Sequence, residues 1–276
     1  MWRRRWSFWY PKMLGSSPGR ASPSTAVGIS TECRCRNSRP VKSIRENKRK
    51  VARMAHDHEL STRVRLVRHG QSHASVQKIV AGGDNCAGLT DRGRAEAALL
   101  ADRLRLAQDP PHTLLTSPIL RAHQTAAVLA DGLGLGEPLV EPGVREMDFG
   151  AADGLSTEEY AEVHGTFDIT VHRDRPFAPG GESWSAFTGR ARRVMDHLAA
   201  RHRGDDVMVV CHAGFVVAAT VGLLDVPPPA LFSDASPAPT SISEFVHDGQ
   251  GWSLVRYDDA AHLAEPSLEG SRGPAS

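Results

Sequence analysis

Val64-Arg65-Leu66-Val67-Arg68-His69-Gly70 is a short apolar and β-branched run that stops at a charged pair and a glycine. Such a run predicts a strand feeding a loop, with Arg68 and His69 where the strand ends. Val207-Met208-Val209-Val210-Cys211 repeats the construction and ends at His212-Ala213-Gly214. Its continuous apolar character is the pattern of a strand buried on both faces, which requires cover on both sides.

The intervening sequence supplies that cover. Thr90 is placed to cap a helix in which Ala97, Leu100, Ala101 and Leu104 recur at i, i+3, i+4 and i+7. Leu114 to Thr116 predicts a second short strand. Ser117-Pro118 then predicts an N-cap and a first-position proline for a helix running from Ile119 to about Leu133. A longer helix is expected from about Glu182 to Arg201, striped by Trp184, Phe187, Ala191, Val194, Met195 and Leu198. Ser241 to Val246 and Trp252 to Tyr257 predict a hairpin around Asp248-Gly249. Strand and helix alternate, so the fold class is α/β with a largely parallel sheet.

In such sheets, ligands bind beyond the carboxyl ends of the strands. Arg68, His69 and His212 fall there, and Arg121 falls in the first turn of a helix that follows a strand. Four cationic or potentially cationic groups therefore share one sheet edge, which makes an anion pocket. Overall charge sharpens the point. Before Met54 lie 14 of the 33 Lys and Arg residues but only 2 of the 32 Asp and Glu residues. A basic arm, expected to be disordered over residues 1–58, thus precedes an acidic domain over 59–260 and a flexible tail over 261–276. An alternative reading has Met54 as the working start. An acidic domain that binds anions must do so with placed side chains, and the arm is not read as a nucleic-acid-binding element. No stretch approaches the ~20 apolar residues of a membrane span, and no secretory signal follows Met1, so a cytoplasmic location is expected. The four cysteines lack metal-ligand spacing, and Cys211 reads as strand filler.

Six ordered segments carry a family resemblance. Leu66-Val67-Arg68-His69-Gly70-Gln71-Ser72 resembles the signature of the histidine phosphatase (phosphoglycerate mutase-like) superfamily. Gly88-Leu89-Thr90-Asp91-Arg92-Gly93 resembles its Leu-Thr-x-x-Gly helix start, and Thr116-Ser117-Pro118-Ile119-Leu120-Arg121-Ala122 its second-arginine motif. Arg145-Glu146-Met147-Asp148-Phe149-Gly150 with Asp153-Gly154, then Gly180-Gly181-Glu182-Ser183, then Val210-Cys211-His212-Ala213-Gly214 follow in the family's order. The resemblance covers roughly Val64 to Tyr257. It implies a three-layer α/β/α sandwich around a mostly parallel central sheet.

It also implies roles. His69 would attack phosphorus and form a phosphohistidine, its other ring nitrogen held by a backbone carbonyl. Arg68 and Arg121 would hold phosphate oxygens with their guanidinium forks. His212 would be a third donor, more useful when protonated, helped by backbone N–H groups at Ala213 and Gly214. Glu146 would be the general acid and then the base. Asp148, Asp153, Glu158 and Glu159 are neighbouring carboxylates that could take its place. Ser72 and Ser75 are expected at the phosphate, although Ser75 stands where many relatives have an asparagine. Ala151-Ala152 departs from the family's usual aromatic residue, which would make the pocket roomier there. No metal and no cofactor is expected, because side chains supply the cations.

The expected reaction is hydrolysis of a small phosphomonoester. Phosphoglycerate mutase activity is the alternative within enzymes, and a non-catalytic protein binding phosphorylated ligands is the alternative outside them. Residues 156–179 read as the lid that would choose the substrate, with His164, His172, Arg173 and Arg175 in it. The lid looks too short to enclose a mutase intermediate.

Overall fold

The computed structural model describes residues 61–83, 85–227 and 236–264. The arm expected over 1–58 lies outside them. Six strands form one sheet: β1 (Thr62–Arg68), β2 (Thr113–Thr116), β3 (Leu139–Val140), β4 (Asp206–Cys211), β5 (Ile242–His247) and β6 (Trp252–Asp259). Their order across the sheet is β3-β2-β4-β1-β5-β6. The first four are mutually parallel, while β5 runs antiparallel to β1 and β6 antiparallel to β5. The sheet is therefore mixed, parallel through its centre and closed at one side by the expected hairpin.

The helices are α1 (His73–Gln77), α2 (Asp91–Leu106), α3 (Leu120–Leu133), α4 (Thr157–His164), α5 (Ile169–His172), α6 (Trp184–Arg201) and α7 (Ala213–Leu224). Side-chain alternation along the strands sorts them. Val67, Leu114, Met208, Val210 and Ile242 meet Leu100, Ala101 and Leu104 of α2 and Ala122, Ala126 and Leu129 of α3 in one buried cluster. Helices α6 and α7 pack against each other and against β1. Val64, Leu66, Val207 and Val209 are also fully buried. Burial on both faces is why β1 and β4 read as unbroken apolar runs. At about 25 cal/mol per Å² of apolar surface, each such side chain contributes roughly 2 kcal/mol.

Thr90 caps α2 as expected, its hydroxyl accepting from the Gly93 N–H. Ser117 does not cap α3. That helix begins two residues later than the Ser-Pro pattern predicts, with Ile119 as a cap that offers no side-chain hydrogen bond. The buried Ser117 hydroxyl accepts from the Ile119 N–H at 3.3 Å and lies closer, at 2.8 Å, to His212 Nε2. Residues 261–263, placed in the tail at the sequence level, form a 3-10 turn in which His262 Nε2 lies 2.8 Å from the Thr240 hydroxyl. Among the described residues no helix is long and apolar enough to cross a membrane.

Candidate active site

Register decides where the site lies. Arg68 on β1 pairs with Cys211 on β4, and Thr116 on β2 pairs with Val210. One residue further on, the His69 N–H still donates to the Cys211 carbonyl (2.9 Å) and the Ser117 N–H to the Val210 carbonyl (2.9 Å). Three adjacent parallel strands thus deliver His69, His212 and Ser117 side by side at their carboxyl ends. The rings of His69 and His212 meet edge to face with centroids 5.3 Å apart.

The environment of His69 specifies its protonation. Nδ1 lies 2.7 Å from the Gly70 carbonyl, and Nε2 accepts a hydrogen bond from Arg121 Nε at 3.0 Å. A nitrogen facing a carbonyl must carry the proton, and a nitrogen facing a guanidinium N–H must not. The ring is therefore neutral, with its lone pair on Nε2. Burial first, then the charges of Arg121 and Arg68, hold its pKa well below the ordinary histidine value.

His212 lies 2.8 Å from the Ser117 hydroxyl through Nε2, and that hydroxyl accepts from the Ile119 N–H. His212 Nε2 is the acceptor in reach of the Ser117 proton among the described residues, and with that proton given to Nε2 the His212 proton sits on Nδ1. That Nδ1 is buried with no hydrogen-bond partner, as is Arg68 Nε. Two orphaned buried donors in one place are a cost that an anion would relieve. Burial foremost, then the charge of Arg121, holds the His212 pKa well below the usual range. His212 can donate as a neutral ring.

The arginines are held, not loose. Arg68 donates to the Pro237 carbonyl (2.5 Å). Arg121, besides its bond to His69, donates to the carbonyls of Gly82 (3.1 Å) and Ala81 (2.9 Å). Glu146 Oε1 accepts from its neighbour Met147 N–H (3.0 Å), and Oε2 accepts from Gly214 N–H at the start of α7 (3.3 Å). Burial raises its pKa despite these bonds and the charge of Arg121. A Cβ at Gly214 would overlap the Glu146 carboxylate as it is now placed, so any larger residue there would displace that carboxylate. The Gly214 N–H is accordingly committed to Glu146 and is not the open phosphate donor that the sequence suggested.

Ser72 and Ser75 form a reciprocal capping box at α1. The Ser75 hydroxyl donates to the Ser72 carbonyl (2.7 Å) and accepts from the Ser72 N–H (3.1 Å). Ser75 has thus spent its one donor locally, whereas the Ser72 hydroxyl accepts from Ser75 N–H and keeps its own proton to give. Ala213 opens α7 directly after His212. Ala152 is wholly buried, so it lines the fold and not an open pocket wall.

Several supports escaped the sequence reading. Thr125 accepts from the Gly70 N–H (3.0 Å) and Glu96 from the Gln71 N–H (2.8 Å), fixing the loop behind His69. Arg190 grips both Glu182 oxygens (2.9 and 2.7 Å) and the carbonyls of Gly143, Arg145 and Glu146. In the segment 156–179, Tyr160 stacks on Phe177 at 4.4 Å and Phe167 meets Phe177 at 5.0 Å. There Arg175 covers Phe167, and His172 Nδ1 accepts from Asp168 N–H.

Comparison with known proteins identifies the family and the fold. The sequence profile of the histidine phosphatase superfamily (branch 1) matches residues 64–260. Phosphoglycerate mutase-like protein 4 of Arabidopsis thaliana is 27% identical over 213 residues, 72% of this chain and 86% of that protein. A Mycobacterium tuberculosis protein described as bifunctional is 34% identical over 198 residues, covering 68% of this chain and 51% of that protein. The chain thus spans about half the length of that relative. A mycobacterial glucosyl-3-phosphoglycerate phosphatase, solved with VO3, superposes with a TM-score of 0.62 at 25% identity, covering 71% of this chain and 98% of its own. With the profile match spanning most of the chain and the fold shared, this protein belongs to the histidine phosphatase superfamily.

Proposed function

We propose that the protein hydrolyses a small phosphomonoester through a phosphohistidine on His69, with no metal taking part. The observation that carries this reading is the neutral His69, its Nε2 lone pair set against Arg121 and its Nδ1 proton donated to the Gly70 carbonyl. Nε2 attacks phosphorus as the ester P–O bond breaks. Protonated Glu146 gives its proton to the departing oxygen. The resulting carboxylate then takes a proton from water, whose oxygen displaces His69 and releases inorganic phosphate. Arg68, Arg121, neutral His212 and Ser72 hold the phosphoryl oxygens, and Ala213 contributes its backbone at the helix start. Phosphoryl transfer needs such positioning and charge stabilisation above all. Ser75 enters only by shaping α1.

Hydrolysis is favoured over mutase chemistry because the lid is two short helices closed on their own aromatic cluster. The test is turnover of an aryl phosphate by the full chain in excess chelator, beside His69→Ala. Turnover that survives chelation and vanishes in the variant supports the mechanism. Equal turnover in both removes His69 as nucleophile, and isomerisation of phosphoglycerate without net hydrolysis would make the protein a mutase.

A further inference from the structure

Among the described residues neither phosphate-facing arginine closes an ion pair with a carboxylate, although both lie in the field of Glu146, and each is joined to an aspartate through an intervening peptide. Arg68 donates to the Pro237 carbonyl (2.5 Å), and the N–H of the same peptide, on Ala238, donates to Asp258 Oδ1 (2.6 Å). Arg121 donates to the Ala81 carbonyl (2.9 Å), and the N–H of that peptide, on Gly82, donates to Asp153 Oδ1 (2.9 Å). The two arrangements come from unrelated parts of the chain. One uses the segment before β5 and the end of β6. The other uses the loop after α1 and the turn that follows Glu146.

The physical sense is the same in each. A peptide dipole of about 3.5 D lies with its positive end on the aspartate and its negative end on the guanidinium. Hydrogen bonds in such a chain strengthen one another. The aspartate therefore fixes the arginine's direction without touching it. A direct ion pair would occupy the guanidinium fork and compete with phosphate. Arg65, Arg103 and Arg190 meet carboxylates directly, at 2.8, 2.6 and 2.7 Å. Among the described residues Arg68 and Arg121 do not. The peptide and the carboxylate sit close together at Gly82, where a Cβ would lie 2.8 Å from Asp153 Oδ2. Asp258 adopts φ 53°, an uncommon backbone conformation for a non-glycine residue.

On the reading of Arg68 and Arg121 as the phosphate-holding pair, we infer that Asp258 and Asp153 are positioning residues, each orienting its arginine through one peptide. The test is the affinity of the full chain for inorganic phosphate, measured by calorimetry, which does not depend on turnover. Asp258→Ala and Asp153→Ala each weaken binding about tenfold, the scale of a lost hydrogen bond to a charged group. Asp→Asn variants, whose Oδ1 still accepts from the same N–H, recover most of it. The loss caused by Asp258→Ala disappears when Arg68 is already Lys, and that of Asp153→Ala when Arg121 is already Lys. The crossed pairs stay additive.

Alanine variants that fold and bind phosphate like the wild type would overturn the inference. So would losses that persist unchanged in the cognate lysine backgrounds, since those mark a general structural effect. Asp→Ser variants, too short to reach the amide, enter the same cycles if an alanine variant does not fold. A wild-type chain that binds no phosphate overturns the underlying reading of the site instead, and is read before any variant.

Discussion

Arg121 Nε donates to His69 Nε2 across 3.0 Å, so the nitrogen that would attack phosphorus is already engaged by a positive group. The contact has two consequences. It orients the lone pair, and it opposes protonation of the ring together with burial and Arg68. The group's pKa lies well below 6.5, so the neutral ring persists as pH falls past 6.5 and protonates only in a more acidic range. Ring nitrogen NMR should therefore show Nδ1 protonated and Nε2 bare at pH 6. The acidic limb of kcat/KM should lie below pH 6.5 for the same reason. In Arg121→Gln both should move upward. A His69 that titrates near 6.5 in the wild type would contradict the tautomer drawn from the geometry.

Glu146 has the opposite perturbation. Burial raises its carboxyl above the usual glutamate value, so the proton is retained over a wider range and is lost as pH rises through the raised pKa. The alkaline limb of turnover should follow that loss. Glu146→Gln should remove the limb and slow alkyl phosphates by roughly 10²–10⁴-fold, the usual worth of a general acid or base. A nitrophenyl phosphate needs no proton on its leaving oxygen. For that substrate the first step should survive and the second should stall, giving a burst of one equivalent of nitrophenolate per site. Rapid-mixing absorbance reads the burst, and its absence with uniformly slow release would place the acid elsewhere, at Asp148, Asp153, Glu158 or Glu159.

Ser117 sets the tautomer of His212 from 95 residues away in sequence, through a buried contact of 2.8 Å. Ser117→Ala deletes the only hydroxyl in that contact and lets the His212 proton move to Nε2. Nδ1 would then face the site as an acceptor, which repels a phosphate oxygen. The expected result is about a tenfold loss of kcat/KM and ~1 kcal/mol of stability. Ser117→Thr, which keeps the hydroxyl, should lose less activity. Equal losses in both variants would mean that packing at this position matters and the hydrogen bond does not.

These residues also mark what the sequence could and could not disclose. β1 and β4 were legible because strands buried on both faces must be apolar throughout, and Thr90 because its cap is local. Ser117 misled for the same reason that Thr90 did not. Ser-Pro before an apolar run satisfies the cap pattern, and the hydroxyl does accept from the Ile119 N–H, but its shorter contact is with a buried ring brought in by β-sheet register, which no local pattern encodes. The site residues at strand ends were visible through convergence on one sheet edge and through six ordered motifs. Their supports were not. Asp258 acts through a backbone N–H, and Arg190 through backbone carbonyls that no side-chain motif announces. Within α6, Arg190 reads as one more polar residue off the apolar stripe.

Arg190 offers the most direct check that the Glu146 segment is built from beneath. Its guanidinium is mostly buried, bonded to both Glu182 oxygens, and it also holds the carbonyls of Gly143, Arg145 and Glu146. Glu182 in turn accepts from the Asp148 N–H, so one ion pair closes both sides of the turn that presents Glu146. Lysine keeps the charge but cannot span two carboxylate oxygens and three carbonyls at once. Arg190→Lys should therefore lower unfolding free energy by about 2 kcal/mol, the scale of a lost hydrogen bond to a charged group, since the charge itself is kept. Urea denaturation gives that number directly. Turnover should fall as well, and more for alkyl than for nitrophenyl esters, because the displaced group is the acid and not the nucleophile. A stability loss with the ratio of the two substrates unchanged would leave Arg190 a scaffold for the fold alone. A shifted ratio would tie it to the aim of Glu146.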